Sequence, residues 1–191
     1  MIQIKRVGIF IDGAYLDRVL KDEFKGIKID FKKLVSWLSQ DLDVLRTYYY
    51  HCEPYMSEDP THEETDRALK ASYFYDRLSL LDGFETRLGK LEYRGLNHNG
   101  QPIFTQKKVD LLLGVDLVRF ALKKNITHAV IFTGDSDFIP ALDVAKEEGV
   151  HIILGHGTLY PPHQDLKRCA DQRVRLTPYD VQRMQLHKKI H

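Results

Sequence analysis

Cysteine is scarce in this chain, with only Cys52 and Cys169 among 191 residues. Two isolated cysteines offer no CxxC metal clip and no disulfide framework, and they fit packed thiols in a reducing compartment. Long apolar runs are missing as well. None approaches the roughly 20 residues needed to span a bilayer, so no membrane partner is expected. The segment MIQIKRVGIFIDG lacks the basic, long apolar and small-residue layout of a secretory leader, which makes the cytoplasm the expected location. Neither sign of charge dominates. The formal net charge is +1, so any attraction to a polyanion must come from local basic patches rather than a global field. No GxGxxG or GKS/GKT loop follows the first apolar run, which disfavours a nucleotide-binding Rossmann enzyme.

What is present suits an ordinary soluble core. Hydrophobic residues make up 43% and charged residues 29% of the chain, and the length suggests one domain with at most a modest extension. Apolar runs alternate with helical periodicities. Strands are expected at residues 5–11, 44–50, 127–133, 150–154 and 174–176, where β-branched and aromatic residues gather. Helices are expected at 14–24, 31–42, 63–81, 109–123 and 140–148, with a last one from Pro178. Residues 84–96 read as extended, and Asn97-His98-Asn99-Gly100 is a turn signal from which 103–105 can pair back as a hairpin. That turn is the expected insertion. The alternation predicts an α/β fold, a mostly parallel central sheet flanked by helices on both faces. Residues 1–176 form the expected domain. Residues 177–191 form a helical extension that packs on the domain or on a partner. Met184 and Leu186 in it offer a homodimer contact, or equally a contact with their own sheet.

Acidic residues stand where the apolar runs end. Thr133-Gly134-Asp135-Ser136-Asp137-Phe138 follows the run Ala129–Phe132 and precedes a helix. Asp135 and Asp137 therefore lie at the carboxyl end of a strand, where open α/β sheets place their ligands. Asp12 ends the first run in the same way. Asp110 and Asp116 form a third acidic segment. Carboxylates this close to apolar strands repel one another and resist burial. A hard cation such as Mg²⁺ or Mn²⁺ relieves that repulsion through oxygen ligands.

Four segments, IFIDGAYL (Ile9–Leu16), RLGKLEYRG (Arg87–Gly95), QKKVDLLLGVD (Gln106–Asp116) and TGDSDFIPAL (Thr133–Leu142), resemble the LabA-like branch of NYN domains, relatives of the PIN-type nucleases. The matches follow the family's order and extend from Arg6 to Leu176. The resemblance implies a PIN-like Rossmannoid sheet, a carboxylate-bound Mg²⁺ or Mn²⁺, and a ribonuclease acting on single-stranded or structured RNA. It implies that Asp12, Asp110, Asp135 and Asp137 are the catalytic metal ligands, with Asp116 a peripheral carboxylate. Products carrying a 5′-phosphate are implied in the same way. Two departures stand out. The family's small polar residue after the first Asp is absent, since the chain reads Gly13-Ala14-Tyr15. The family's Lys-Gly-Val-Asp becomes Lys107-Lys108-Val109-Asp110.

Each residue also has a plainer reading. Asp12 can cap the following helix, and Asp135 and Asp137 can cap the one starting near Phe138. Asp110 suits a helix start. Asp116 lies six residues beyond Asp110, out of line on an ideal helix, and could equally be a surface residue. Lys107 and Lys108, beside Asp110, are the best phosphate contacts. Thr133 and Ser136 offer hydroxyls to a carboxylate or an RNA phosphate, and Arg87, Lys90 and Arg94 could line one edge of an RNA groove. Tyr15, Tyr93 and Phe138 could stack on unpaired bases or pack in the core. Gly134 supplies close backbone approach or a positive φ. His187 and His191, at i,i+4 spacing without acidic company, read as surface residues. The competing function is a catalytically weak NYN module that binds RNA or a protein partner. A haloacid-dehalogenase-type phosphatase wants a second Asp two residues after Asp12, and Ala14 stands there.

Overall fold

Val7, Ile9, Phe10 and Ile11 are all fully buried, although they are near-consecutive in one strand. A strand alternates its side chains between two faces, so such a run is stable only where both faces are covered. Strand β1 (Arg6–Asp12) meets that condition at the centre of a seven-stranded sheet. Each such side chain removed from water stabilises the fold by about 1.5–3 kcal/mol. The description comes from a computed structural model and covers residues 5–100 and 102–186. The side chains of Gln106 and Lys107 lie outside the described residues, as do His187 and His191.

The elements run β1, α1 (Gly13–Glu23), α2 (Phe31–Ser39), β2 (Asp43–Glu53), α3 (His62–Ser79), β3 (Phe84–Leu96), β4 (Pro102–Lys107), α4 (Val109–Leu122), β5 (His128–Phe132), α5 (Ile139–Glu147), β6 (His151–His156), α6 (Gln164–Cys169), β7 (Gln172–Arg175) and α7 (Pro178–Met184). A single 3-10 turn, Ser136–Phe138, precedes α5. The strand order is β4-β3-β2-β1-β5-β6-β7. All neighbours are parallel except β3 and β4, which form the antiparallel hairpin expected around the Asn97–Gly100 turn.

The chain builds outward from β1 in one direction, then returns through α4 to build outward in the other. The strand order therefore reverses between β1 and β5, and a crevice opens there beyond their carboxyl ends. One apolar layer joins the sheet to α1, α2, α3 and α7 through Leu16, Leu34, Leu78 and Met184. The other joins it to α4, α5 and α6 through Leu113, Leu142 and Leu166. Helix α7 packs on this chain's own sheet, and Leu186 beyond it is exposed.

Two sequence expectations shift. Helix α2 stops at Ser39, short of residue 42, because Gln40 and Asp41 take positive φ (49° and 66°) and so cannot continue a helix. Helix α6 was not expected. It has six residues and follows Pro161-Pro162, too short for a periodic signal to emerge. Neither Cys52 nor Cys169 forms a disulfide among the described residues. Among the described residues no helix is long and apolar enough to cross a membrane.

Candidate metal centre at the strand-order reversal

Asp12 ends β1 and caps α1. Its Oδ1 accepts the backbone N–H of Tyr15 at 3.1 Å, and its Oδ2 accepts the Thr133 hydroxyl, from just past β5, at 3.1 Å. The capping reading of Asp12 and its place in a polar cluster are thus both realised, by different oxygens of one carboxylate. Burial raises the Asp12 pKa above its ordinary value. Hydrogen bonds from Tyr15 and Thr133 oppose that rise, and the charge of Asp110 adds to it.

The segment after β5 comes next. Asp135 accepts the Asp137 N–H at 2.9 Å and so caps the 3-10 turn. Its own N–H donates to Thr133 Oγ1 at 3.2 Å. Gly134 matters for space rather than for φ, since a Cβ there would stand 2.6 Å from the Tyr15 ring. Asp110 lies in the first turn of α4, and burial followed by the charges of Asp135 and Asp137 raises its pKa.

Asp12, Asp110 and Asp135 line one cleft of about 600 Å³, together with Ala14, Tyr15, Arg18, Gly134, Leu159, Tyr160 and Pro161. Asp137 is exposed beside it and acts on Asp110 through its charge. Among the described residues, no three His, Cys, Asp or Glu side chains already stand close enough to enclose an ion. The donors are hard carboxylate oxygens, and their mutual repulsion is of the kind a divalent cation relieves. Mg²⁺ or Mn²⁺ therefore suits the chemistry of the set.

Asp116 is elsewhere. It is buried on the inner side of α4, where it accepts hydrogen bonds from Tyr50 Oη at 3.0 Å and Arg87 Nε at 3.2 Å and pairs with Arg119 at 2.9 Å. Arg87 is committed to the same network. It also pairs with Glu85 at 2.7 Å and lies over the Tyr48 ring. Both residues hold α4 to the sheet instead of facing the cleft, because each satisfies the other's buried charge. Lys90 is exposed on β3 and lines a groove against α3, and Arg94 pairs with Glu92 at 3.1 Å. Lys108 is exposed, directly before α4, and Ser136 is half-buried in the 3-10 turn. Tyr15 and Phe138 are core residues, whereas Tyr93 is 45% exposed.

Arg18 and the rim after β6 are not among the residues that the sequence singles out. Tyr15 Oη donates to the Tyr160 carbonyl at 2.6 Å and accepts the Gly157 N–H at 3.1 Å. Glu23 accepts the N–H groups of Thr158 and Leu159, and the Tyr160 hydroxyl donates to Asp22 at 2.7 Å. Burial pushes the Tyr15 hydroxyl up to about 12, so it stays protonated as a donor. Arg18 lies 5.5 Å from the Tyr160 ring centroid and lines the same cleft as the carboxylates. The one local hint was spacing. Ala14 and Arg18 are four apart on α1 and share a helix face.

An open α/β sheet with acidic residues converging at its strand-order reversal defines a class of carboxylate-edged, Rossmann-like domains. Residues 6–176 match the family model of the NYN domain, and the chain belongs to that family. NYN domains are nuclease-type members of the PIN-like superfamily, which in general use divalent metals and bind RNA. The fold is that of a PIN-like Rossmannoid. A protein of unknown function from Vibrio parahaemolyticus shares this architecture, with 15% identity, a TM-score of 0.61, and 95% of this chain and 98% of that one covered. A nicotinic acid mononucleotide adenylyltransferase from Plasmodium falciparum is a more distant match, with 12% identity, a TM-score of 0.34, and 91% and 76% of the two chains covered. Among curated proteins, none matches the sequence.

Proposed function

We propose that this chain is a divalent-metal-dependent endoribonuclease of the LabA-like NYN branch, with Asp12, Asp110, Asp135 and Asp137 as the residues that hold Mg²⁺ or Mn²⁺. The observation that carries the reading is the convergence of carboxylates from three separate segments on one cleft, where burial and mutual charge raise the pKa of Asp12 and Asp110. Natural folds retain such repulsion mainly where function needs it. A divalent ion held there supplies an activated water and offsets phosphate charge.

The protein's own groups do the rest. Thr133 fixes the rotamer of Asp12, leaving its remaining lone pairs directed by two hydrogen bonds. Arg18, in the lining of the same cleft, offers a guanidinium to the RNA phosphate. Lys108 offers a second cation beside Asp110. Gly134 lets the backbone after β5 close onto Tyr15, which keeps Asp135 at the lip of the cleft.

A second reading, a catalytically weak NYN module that binds RNA, is favoured by the spacing of the carboxylates, which enclose no ready-made ion site among the described residues. Cleavage of end-labelled RNA in Mg²⁺, Mn²⁺ or EDTA separates the two. Metal-dependent cleavage that is lost in a folded Asp135→Ala variant is the expected result. RNA binding without cleavage in either metal supports the weak module instead.

A further inference from the structure

The β3–β4 hairpin overhangs the edge of the sheet on which the carboxylate cleft opens. Asp12 is level with Tyr50, and Tyr50 with Arg87. Pairing of β3 with β2 ends at Glu53 and Lys90. Beyond that point β3 continues through Leu96 and β4 returns from Pro102, paired with each other and no longer with β2. At strand rise the overhang reaches on the order of 20 Å past the last β2 pair.

Hairpins that leave the sheet usually carry polar side chains on both faces, but this one carries rings. Tyr93 and Phe104 are direct cross-strand partners with centroids 6.0 Å apart. Tyr55, from the loop after β2, stands 6.0 Å from Tyr93 and 5.1 Å from Phe104. The cluster is not sealed, since Tyr93 is 45% and Phe104 37% exposed. Cross-strand packing fixes the rings in place while leaving part of their surface to solvent, which gives a preorganised stacking surface.

We propose that Tyr93 and Phe104, backed by Tyr55, form a base-stacking subsite for the unpaired bases of the RNA strand whose phosphate enters the carboxylate cleft. The proposal rests on the nuclease reading above. Continuity of the chain supports it, because β4 leads from Phe104 through Lys107 and Lys108 directly to Asp110 in the first turn of α4. Charge supports it too. Exposed Lys108, where β4 hands over to α4, stands on the path from the rings to Asp110 and suits a phosphate backbone. A paired duplex would present no free base faces to the rings, so the subsite selects single strands.

The test is fluorescence anisotropy with a labelled single-stranded 12-mer and the matching duplex, in EDTA so that nothing is cleaved. The proteins are wild type, Tyr93→Leu, Phe104→Leu and Tyr93→Phe. The leucine variants keep apolar volume in the hairpin but remove a ring, and thermal melts confirm their folding. Each leucine variant is expected to bind the single strand about 5- to 100-fold more weakly, with Tyr93→Phe close to wild type and duplex binding unchanged. Equal binding by all four proteins overturns the subsite, and if wild type still cleaves RNA with metal the nuclease reading survives. Wild type that neither binds nor cleaves RNA overturns both. A change in sedimentation state in the leucine variants with RNA affinity unchanged also overturns the subsite, by marking the rings as a self-association surface.

Discussion

The Thr133 hydroxyl donates to Asp12 Oδ2 at 3.1 Å across 121 residues of sequence, and this bond joins the ends of β1 and β5 where the strand order reverses. Thr133 is itself fully buried. Its oxygen also accepts the backbone N–H of Asp135, so one side chain orients the Asp12 carboxylate and anchors the backbone that carries Asp135. Replacing it with valine keeps the shape and removes both contacts. Thr133→Val is expected to lower metal-dependent cleavage by about 10- to 100-fold, the usual effect of losing a group that orients a metal ligand. Steady-state kinetics at saturating Mn²⁺ would check this, and an unchanged rate would place Thr133 outside the working site.

Asp12→Asn separates function from stability. Asparagine still caps α1 and carries no charge into the buried position. Because folding raises the Asp12 pKa from 3.8, the native state binds the proton more tightly than the unfolded chain does. The ionised carboxylate therefore costs stability once the pH exceeds 3.8, and the full cost is present above the native pKa. In EDTA at pH 7, Asp12→Asn should unfold at higher urea than wild type, with the gain vanishing toward pH 3.8 and cleavage lost. Equal midpoints at pH 7 would contradict it.

His51 gives a pH dependence of the opposite sense. Burial lowers its pKa, but the hydrogen bond with Asp17, the Cys52 carbonyl and the charge of Asp17 together raise it above 6.5. The ion pair measures 3.3 Å. Its stabilisation is fully present below pH 6.5 and is lost as the pH rises through the native pKa. Asp17 is well exposed, so the effect is small, within about 1 kcal/mol. Asp17→Asn should flatten the fall in melting temperature between pH 6 and 9. A wild-type profile that is already flat would count against the pair.

Lys108 occupies φ 76°, left-handed backbone that suits glycine. Lys108→Gly relieves a cost of about 1 kcal/mol but makes the unfolded chain more flexible by a comparable amount. The melting temperature should therefore change little, while RNA affinity falls with the lost cation. Lys108→Val, branched at this φ, should destabilise clearly. Thermal melts and RNA titrations of both variants would check these outcomes, and a stable valine variant would refute the strained backbone.

Much of this was legible in the sequence because it is local. Apolar runs ending in Asp12 and in Thr133-Gly134-Asp135 mark buried strands and their carboxyl ends, and alternation with helices gives the parallel sheet. Pairings across distant segments were not legible. Arg87 and Asp116 read as groove and metal residues because nothing in a linear chain shows that they neutralise each other 29 residues apart. Arg18 was invisible for a related reason. Its role depends on a rim 142 residues further on, held by Tyr15 and Tyr160. Helix α6 is fixed by Leu166 in the core rather than by any local period.

The most direct test of the carboxylate cleft is electron paramagnetic resonance of Mn²⁺ added to EDTA-stripped protein. Wild type should bind the ion, Asp12→Asn and Asp110→Asn should bind it far more weakly, and Asp17→Asn, well exposed on α1, should bind as wild type does. Free Mn²⁺ with wild type, or equal binding by all four proteins, would contradict a metal centre at the ends of β1 and β5.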